Sequence, residues 1–192
     1  MSLDWAAFRF LNGFAGRSPL ADELIRLLMN DYALTTALVL ILYGLWFSGW
    51  SGTEREGNQR AVLSAITTVF LGNVVVKLMN LAFYRYRPFA FQEVTLLFYY
   101  PSDSSFPSNA TFVGVSIATA LWLHNRTIGM IAYVLALLLG IARVVGGVHF
   151  PSDIIGGAVV GMGVAYVVVR RIAPLERLWA LLIRQMRHLF LA

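Results

Sequence analysis

Five apolar runs, at residues 33–50, 61–84, 108–124, 127–146 and 153–170, leave few folds open to this chain. A helix needs about 20 mostly apolar residues, within a range of about 17–25, to cross a bilayer, and each run is near that length. Inside lipid every backbone N–H and C=O must find a partner within the protein, which makes such runs helical. Only 13% of the residues are charged, about half the share in an ordinary soluble domain. The expected fold is all-α, a polytopic membrane helix bundle of about five to six transmembrane helices. One membrane-embedded domain is expected over 1–192, with a core at 30–172 and interfacial helices at 1–29 and 173–192.

The flanks read differently. Residues 3–29 carry Asp4, Arg9, Arg17, Asp22, Glu23 and Arg26, and "GRSP" divides them into two short amphipathic helices. Residues 174–191 alternate apolar and basic residues at helical spacing, which predicts a surface helix with its leucines in lipid. The start, "MSLDWAAFRFLNGFAG", lacks the basic opening and unbroken apolar core of a signal peptide. Gly157 and Gly161 stand at GxxxG spacing in the fifth run, which predicts close helix packing.

Charge orients the bundle. With five spans, Arg55, Arg60, Arg126, Arg170, Arg171, Arg177, Arg184 and Arg187 share the side of the C-terminal tail. The opposite side holds Arg9, Arg17, Arg26, Arg85, Arg87 and Arg143. The positive-inside rule then places the tail in the cytoplasm and the 85–107 loop outside. The net charge of +5 belongs to headgroups and topology, since no Lys/Arg block interleaves with aromatics as a nucleic-acid surface would. Cysteine is absent, which excludes disulfides and thiolate chemistry.

This topology brings three polar clusters to one membrane face: "YRYRPF" after the second run, "SSFPSNATF" at the start of the third, and "RVVGGVHFPSD" between the fourth and fifth. Arg87 and Arg143 are fixed cations with a fork suited to phosphate oxygens. Ser108 opens a helix whose free N–H groups make an anion seat. His149 can act as a nucleophile toward phosphorus. Asp153, four residues on, could accept the ring's other N–H and set its tautomer. Gly146 and Gly147 allow a tight turn before His149. Plainer readings stand beside these: Arg85 as a topology anchor, Arg87 and Arg143 as snorkelling cations, Ser108 and Asn109 as helix caps. Lys77 is either functional or snorkelling.

These residues resemble the type 2 phosphatidic acid phosphatase superfamily, which also contains vanadium haloperoxidases. Arg143, His149 and Asp153 match its third signature, R-x5-H-x3-D. Arg87–Pro88 is similar to the end of the first, and Phe106–Asn109 ("FPSN") to the second. Within the superfamily the chain looks most like bacterial undecaprenyl-diphosphate phosphatases. The resemblance implies that His149 attacks the terminal phosphorus and forms a phosphohistidine, with Asp153 orienting it. Arg87, Arg143, Ser108 and Asn109 would hold the phosphoryl oxygens. Neither a metal nor a cofactor is implied. The implied partners are membrane lipids and a polyprenyl or glycerophospholipid phosphate, at a bacterial cytoplasmic membrane with the site facing outward.

Two positions depart from the pattern. The first-signature lysine falls at Asn80, with Lys77 one turn earlier on the same helical face, where it is expected among the phosphate-binding residues. The histidine that normally follows "PSN" and protonates the leaving oxygen is Ala110, and His124 is at the far end of that span. Such a general acid is worth about 10²–10⁴-fold. Three explanations stand: an engineered inactive form, a natural degenerate homologue, or an enzyme using another acid. The intact remainder of the motif favours an inactivated variant, in which Ala110→His restores phosphate release. The alternatives in function are phosphatidylglycerophosphate or phosphatidate hydrolysis, and a non-catalytic lipid-phosphate binder or transporter.

Overall fold

The structure, a computed structural model, describes residues 3–30 and 32–188. These form the helices α1 (Leu3–Asn12), α2 (Pro19–Met29), α3 (Ala33–Phe47), α4 (Gly52–Ala82), α5 (Asn109–His124), α6 (Arg126–Val145), α7 (Pro151–Arg171) and α8 (Ala173–His188). A single 3-10 turn at Pro88–Ala90 interrupts the loop between α4 and α5.

Among the described residues three helices, α4, α6 and α7, are long and apolar enough to cross a membrane. The α2–α3 pair, bent by 51°, passes the same test as one unit and raises the number to four. This is fewer than the five to six that the apolar runs predict. The runs at 33–50 and 108–124 yield helices of 15 and 16 residues. Ser48 ends α3, its N–H and hydroxyl both donating to the Leu45 carbonyl. Pro107 lacks an N–H, and α5 starts behind it with Ser108 as its cap.

The short helix α5 is the centre of the bundle and packs against α3, α4, α6 and α7. Its contact with α7 depends on missing side chains. A Cβ on Gly157 would stand 2.5 Å from the Ser108 carbonyl oxygen, and one on Gly161 2.9 Å from that of Phe112. The GxxxG spacing thus does bring two backbones together. At the other end Asn125 alone joins α5 to α6, its side chain accepting from Ile128 N.

The flanking helices are more engaged than an interfacial reading predicts. α1 packs on α6 and α7, and α2 on α3 and α6. Phe8 is buried, its ring and that of Trp5 meeting Phe150. Asn12 staples the 85–107 loop to the end of α6: its amide donates to Thr95 O and Val145 O, both at 2.8 Å. α8 lies on α4 with Trp179 and Ile183 buried, while Leu178, Leu181 and Leu182 remain exposed. The expected lipid-facing surface helix therefore has a protein-facing side as well; residues 189–191 of that expectation lie outside the described residues. α4 starts nine residues before its apolar run, because Ser51 caps Glu54 N and Arg60 pairs with Glu56 and Glu176.

Candidate active site

Between α6 and α7 the chain turns at Gly147, whose φ of +87° suits glycine. Pro151 then occupies the first turn of α7, and Asp153 caps that turn by accepting from Phe150 N at 2.8 Å. His149 lies inside this short link and is buried, at 3% exposure.

The imidazole is oriented by two partners. Nδ1 lies 3.0 Å from the Ser105 carbonyl, which can only accept. Nε2 lies 3.2 Å from Arg87 Nη1, which can only donate. Nδ1 therefore carries the proton, and the Nε2 lone pair faces the arginine. Burial lowers the His149 pKa most, opposed by Asp153 and reinforced by the Arg87 and Arg143 charges, so the neutral ring is favoured. A neutral ring protonated at Nδ1, with its Nε2 lone pair turned to the Arg87 guanidinium, is the tautomer that nucleophilic attack on phosphorus requires.

The geometry differs from the expected direct bond between His149 and Asp153. Their closest atoms, Nδ1 and Oδ2, are 3.6 Å apart. Ser105 stands between them: its hydroxyl donates to Asp153 Oδ2 at 2.5 Å while its carbonyl faces the ring. Ser105 is a site residue that motif reading missed, and its place in the polar "SDSSFPSN" loop was the available signal. Arg85 was missed as well. Its guanidinium donates to Asp153 Oδ1 at 2.7 Å, Ser152 Oγ at 2.6 Å and Asp4 Oδ2 at 2.6 Å, and stacks over Phe150. It is a partner of the buried carboxylate, which corrects the topology-anchor reading.

Arg87, Arg143, His149, Asn109 and position 110 share the wall of one cavity of about 360 Å³, with Asp103, Tyr99 and residues of the α2–α3 bend. Arg87 is held on Val148 O and on Asp103, whose Oδ1 lies 2.8 Å from Nη2. Arg143 stacks on Phe98. Ala110, at the position where the resemblance implies a histidine, lines this cavity. Ser108 is set back: its hydroxyl caps Thr111 N and its N–H donates to Asp153 O. Lys77 and Asn80 line an adjacent cavity instead. Among the described residues no group of three or more His, Asp and Glu is arranged for a metal ion.

The PAP2 superfamily model matches residues 61–177, well over half the chain and every element of this cavity except the N-terminal helices. The chain belongs to the PAP2 superfamily. Its PAP2 relatives include the undecaprenyl-diphosphatase BcrC of Bacillus subtilis, 29% identical over 88% of this chain and 83% of that protein. Among solved structures, Aquifex aeolicus LpxE superposes with a TM-score of 0.68 at 29% identity, covering 88% of this chain and 96% of that one. The transmembrane PAP2-type phosphatidylglycerolphosphate phosphatase of Bacillus subtilis superposes at 0.59 and 26% identity, covering 88% and 85%. The chain is thus a PAP2 membrane phosphatase related to bacterial undecaprenyl-diphosphatases, and the all-α bundle is the PAP2 membrane fold.

Proposed function

We propose that this chain hydrolyses undecaprenyl diphosphate to undecaprenyl phosphate through a phosphohistidine on His149. The observation that carries the reading is the single cavity in which the His149 ring and two buried guanidiniums, Arg87 and Arg143, meet. Nε2 attacks the terminal phosphorus. The two arginines and the α5 N-terminus at Asn109 take the charge of the phosphoryl oxygens. Ser105, Asp153 and Arg85 hold the ring from behind. Ser108 sets the start of α5 rather than touching substrate.

The five apolar runs support a bundle crossed five times, with α3 as a short crossing at its edge and α5 as a short crossing at its centre. The arginine excess beside the C-terminal tail supports a site on the extracytoplasmic side of a bacterial cytoplasmic membrane.

Two other readings have support. Hydrolysis of phosphatidylglycerophosphate is the activity named for one of the similar structures. A non-catalytic lipid-phosphate binder or transporter is favoured by Ala110. The test is orthophosphate release in detergent from undecaprenyl diphosphate, phosphatidylglycerophosphate and phosphatidate, by the chain and by Ala110→His, with His149→Ala as control. Fastest release from undecaprenyl diphosphate, lost in His149→Ala, supports the reading. Lipid binding without release by either protein supports the binder.

A further inference from the structure

The cavity that holds Lys77 is about 350 Å³ and is lined also by Asn73, Asn80, Tyr84 and Ser104. Asp103 and Asn109 line it and the His149 cavity alike, so the two share a wall. Among the described residues the Lys77 ammonium has no ion-pair or hydrogen-bond partner. Asn80 Oδ1 is buried without a hydrogen-bond partner. Lys77 is exposed where it lines this cavity, so its charge is open to an incoming anion.

We propose that this second cavity receives the leaving phosphate of a lipid diphosphate, and that the chain consequently cleaves phosphoanhydrides while sparing phosphate monoesters. The inference rests on the phosphatase reading above and gives Ala110 a physical meaning. In the first step Nε2 of His149 bonds to the terminal phosphorus as the bridging P–O bond breaks. The electron pair of that bond stays on the oxygen of the departing lipid phosphate. That group leaves without a proton, because the second pKa of a phosphate monoester is about 6. A monoester would have to expel an alkoxide, whose alcohol is about as weak an acid as water. Only the second case needs a general acid at position 110. Lys77, across the shared wall from position 110, meets the charge of the departing phosphate. Water then adds to phosphorus, the P–N bond breaks with its electron pair returning to Nε2, and orthophosphate departs with both water protons. The monophosphate product is a monoester and so survives the enzyme that made it.

The experiment follows orthophosphate release from undecaprenyl diphosphate and undecaprenyl monophosphate in the same detergent. The chain should turn over the diphosphate at least about 100-fold faster, and Ala110→His should raise monophosphate turnover by about 10²–10⁴-fold while changing diphosphate turnover far less. Lys77→Gln should lower diphosphate kcat by about tenfold or more, with Lys77→Arg restoring most of it. Should Lys77→Gln fail to fold, inorganic pyrophosphate should still inhibit the unaltered chain more strongly than orthophosphate. Comparable rates on the two lipids, equal gains from Ala110→His, an unaffected Lys77→Gln or no preference for pyrophosphate would overturn the proposal while leaving a phosphatase. No release from either lipid, even by Ala110→His, would remove the phosphatase reading and this inference together.

Discussion

Arg85 Nη1 lies 2.7 Å from Asp153 Oδ1, and its Nη2 lies 2.6 Å from Asp4 Oδ2 on the N-terminal helix. One guanidinium thus ties the carboxylate behind the His149 ring to a residue at the far end of the sequence. Asp4 also accepts from the Ser152 N–H and hydroxyl. Burial opposes its charge, but the bonds from Ser152 and Arg85 outweigh that and lower its pKa. α1 is therefore part of the scaffold of the site.

Arg85→Met should cost both stability and rate. Removing one partner of a buried ion pair costs about 3–5 kcal/mol. Arg85 is 34% exposed, and Asp153 keeps its bonds to Ser105 and Phe150, so a screened value of about 1–2 kcal/mol is expected. A slight tilt of the His149 ring should lower kcat by about 10²-fold with little change in KM. Thermal melting in detergent and steady-state kinetics on Arg85→Met and Arg85→Lys check this; an unchanged kcat would leave Arg85 a purely structural residue.

Asp103→Asn should tighten anion binding. The Asp103 carboxylate occupies a donor of Arg87, and its carbonyl takes the Nε–H. An incoming phosphoryl group must replace that carboxylate. The neutral amide keeps the shape and removes the competing charge, so the inhibition constant of orthovanadate, a phosphate mimic, should fall several-fold. A weaker inhibition constant would mean that Asp103 positions Arg87 more than it competes with substrate.

The site divides into what local spacing can reveal and what it cannot. Arg143, His149 and Asp153 were legible because they lie close in sequence on either side of the α6–α7 turn, and so were Arg87 and position 110, each fixed by a short motif. The close α5–α7 contact was legible in Gly157 and Gly161. Arg85 was not, because its partners Asp4 and Ser152 are 81 and 67 residues away. Ser105 contributes its backbone carbonyl to the ring, and a main-chain acceptor leaves no trace in residue type. Lys77 was grouped with the phosphate ligands by helical periodicity, yet the rotation of α4 puts it in the neighbouring cavity. Helix length was also overestimated at α3, where Ser48 stops the helix inside an apolar run.

The pH dependence follows from His149. Its ordinary pKa of 6.5 is lowered in the fold, chiefly by burial. The ring therefore stays neutral and nucleophilic below pH 6.5, and the acid limb of kcat/KM should fall at a pH lower than a free imidazole would give. Stability moves with it. Between the folded value and 6.5 the unfolded chain binds a proton that the folded chain does not, so this contribution is complete above 6.5 and is lost as pH falls through that window. Rate profiles of the unaltered chain, and its denaturation midpoints compared with those of His149→Gln, test both from pH 4.5 to 8; an acid limb at or above 6.5 would contradict the geometry.

Gly157→Ala should damage the site from a distance. A methyl group at this position would meet the Ser108 carbonyl at 2.5 Å and Phe112 N at 3.2 Å, and both belong to the backbone of the α5 N-terminus. Backbone cannot swing aside as a side-chain tip can, so α7 must move away from α5. Overpacking of this kind costs about 1–3 kcal/mol. The displacement falls one helical turn from Asp153, whose carbonyl accepts from Ser108 N, and so shifts the ring support and the phosphate seat relative to each other. Activity should drop by more than the loss of folded protein explains, because a misplacement of about 1 Å can cost 10²-fold in rate. Gly163, with nothing within 4 Å of a built Cβ, is the control on the same helix. Gly163→Ala should melt at or above the parent temperature and keep full activity. Equal behaviour of the two variants would show that the α5–α7 approach does not set the geometry of the site.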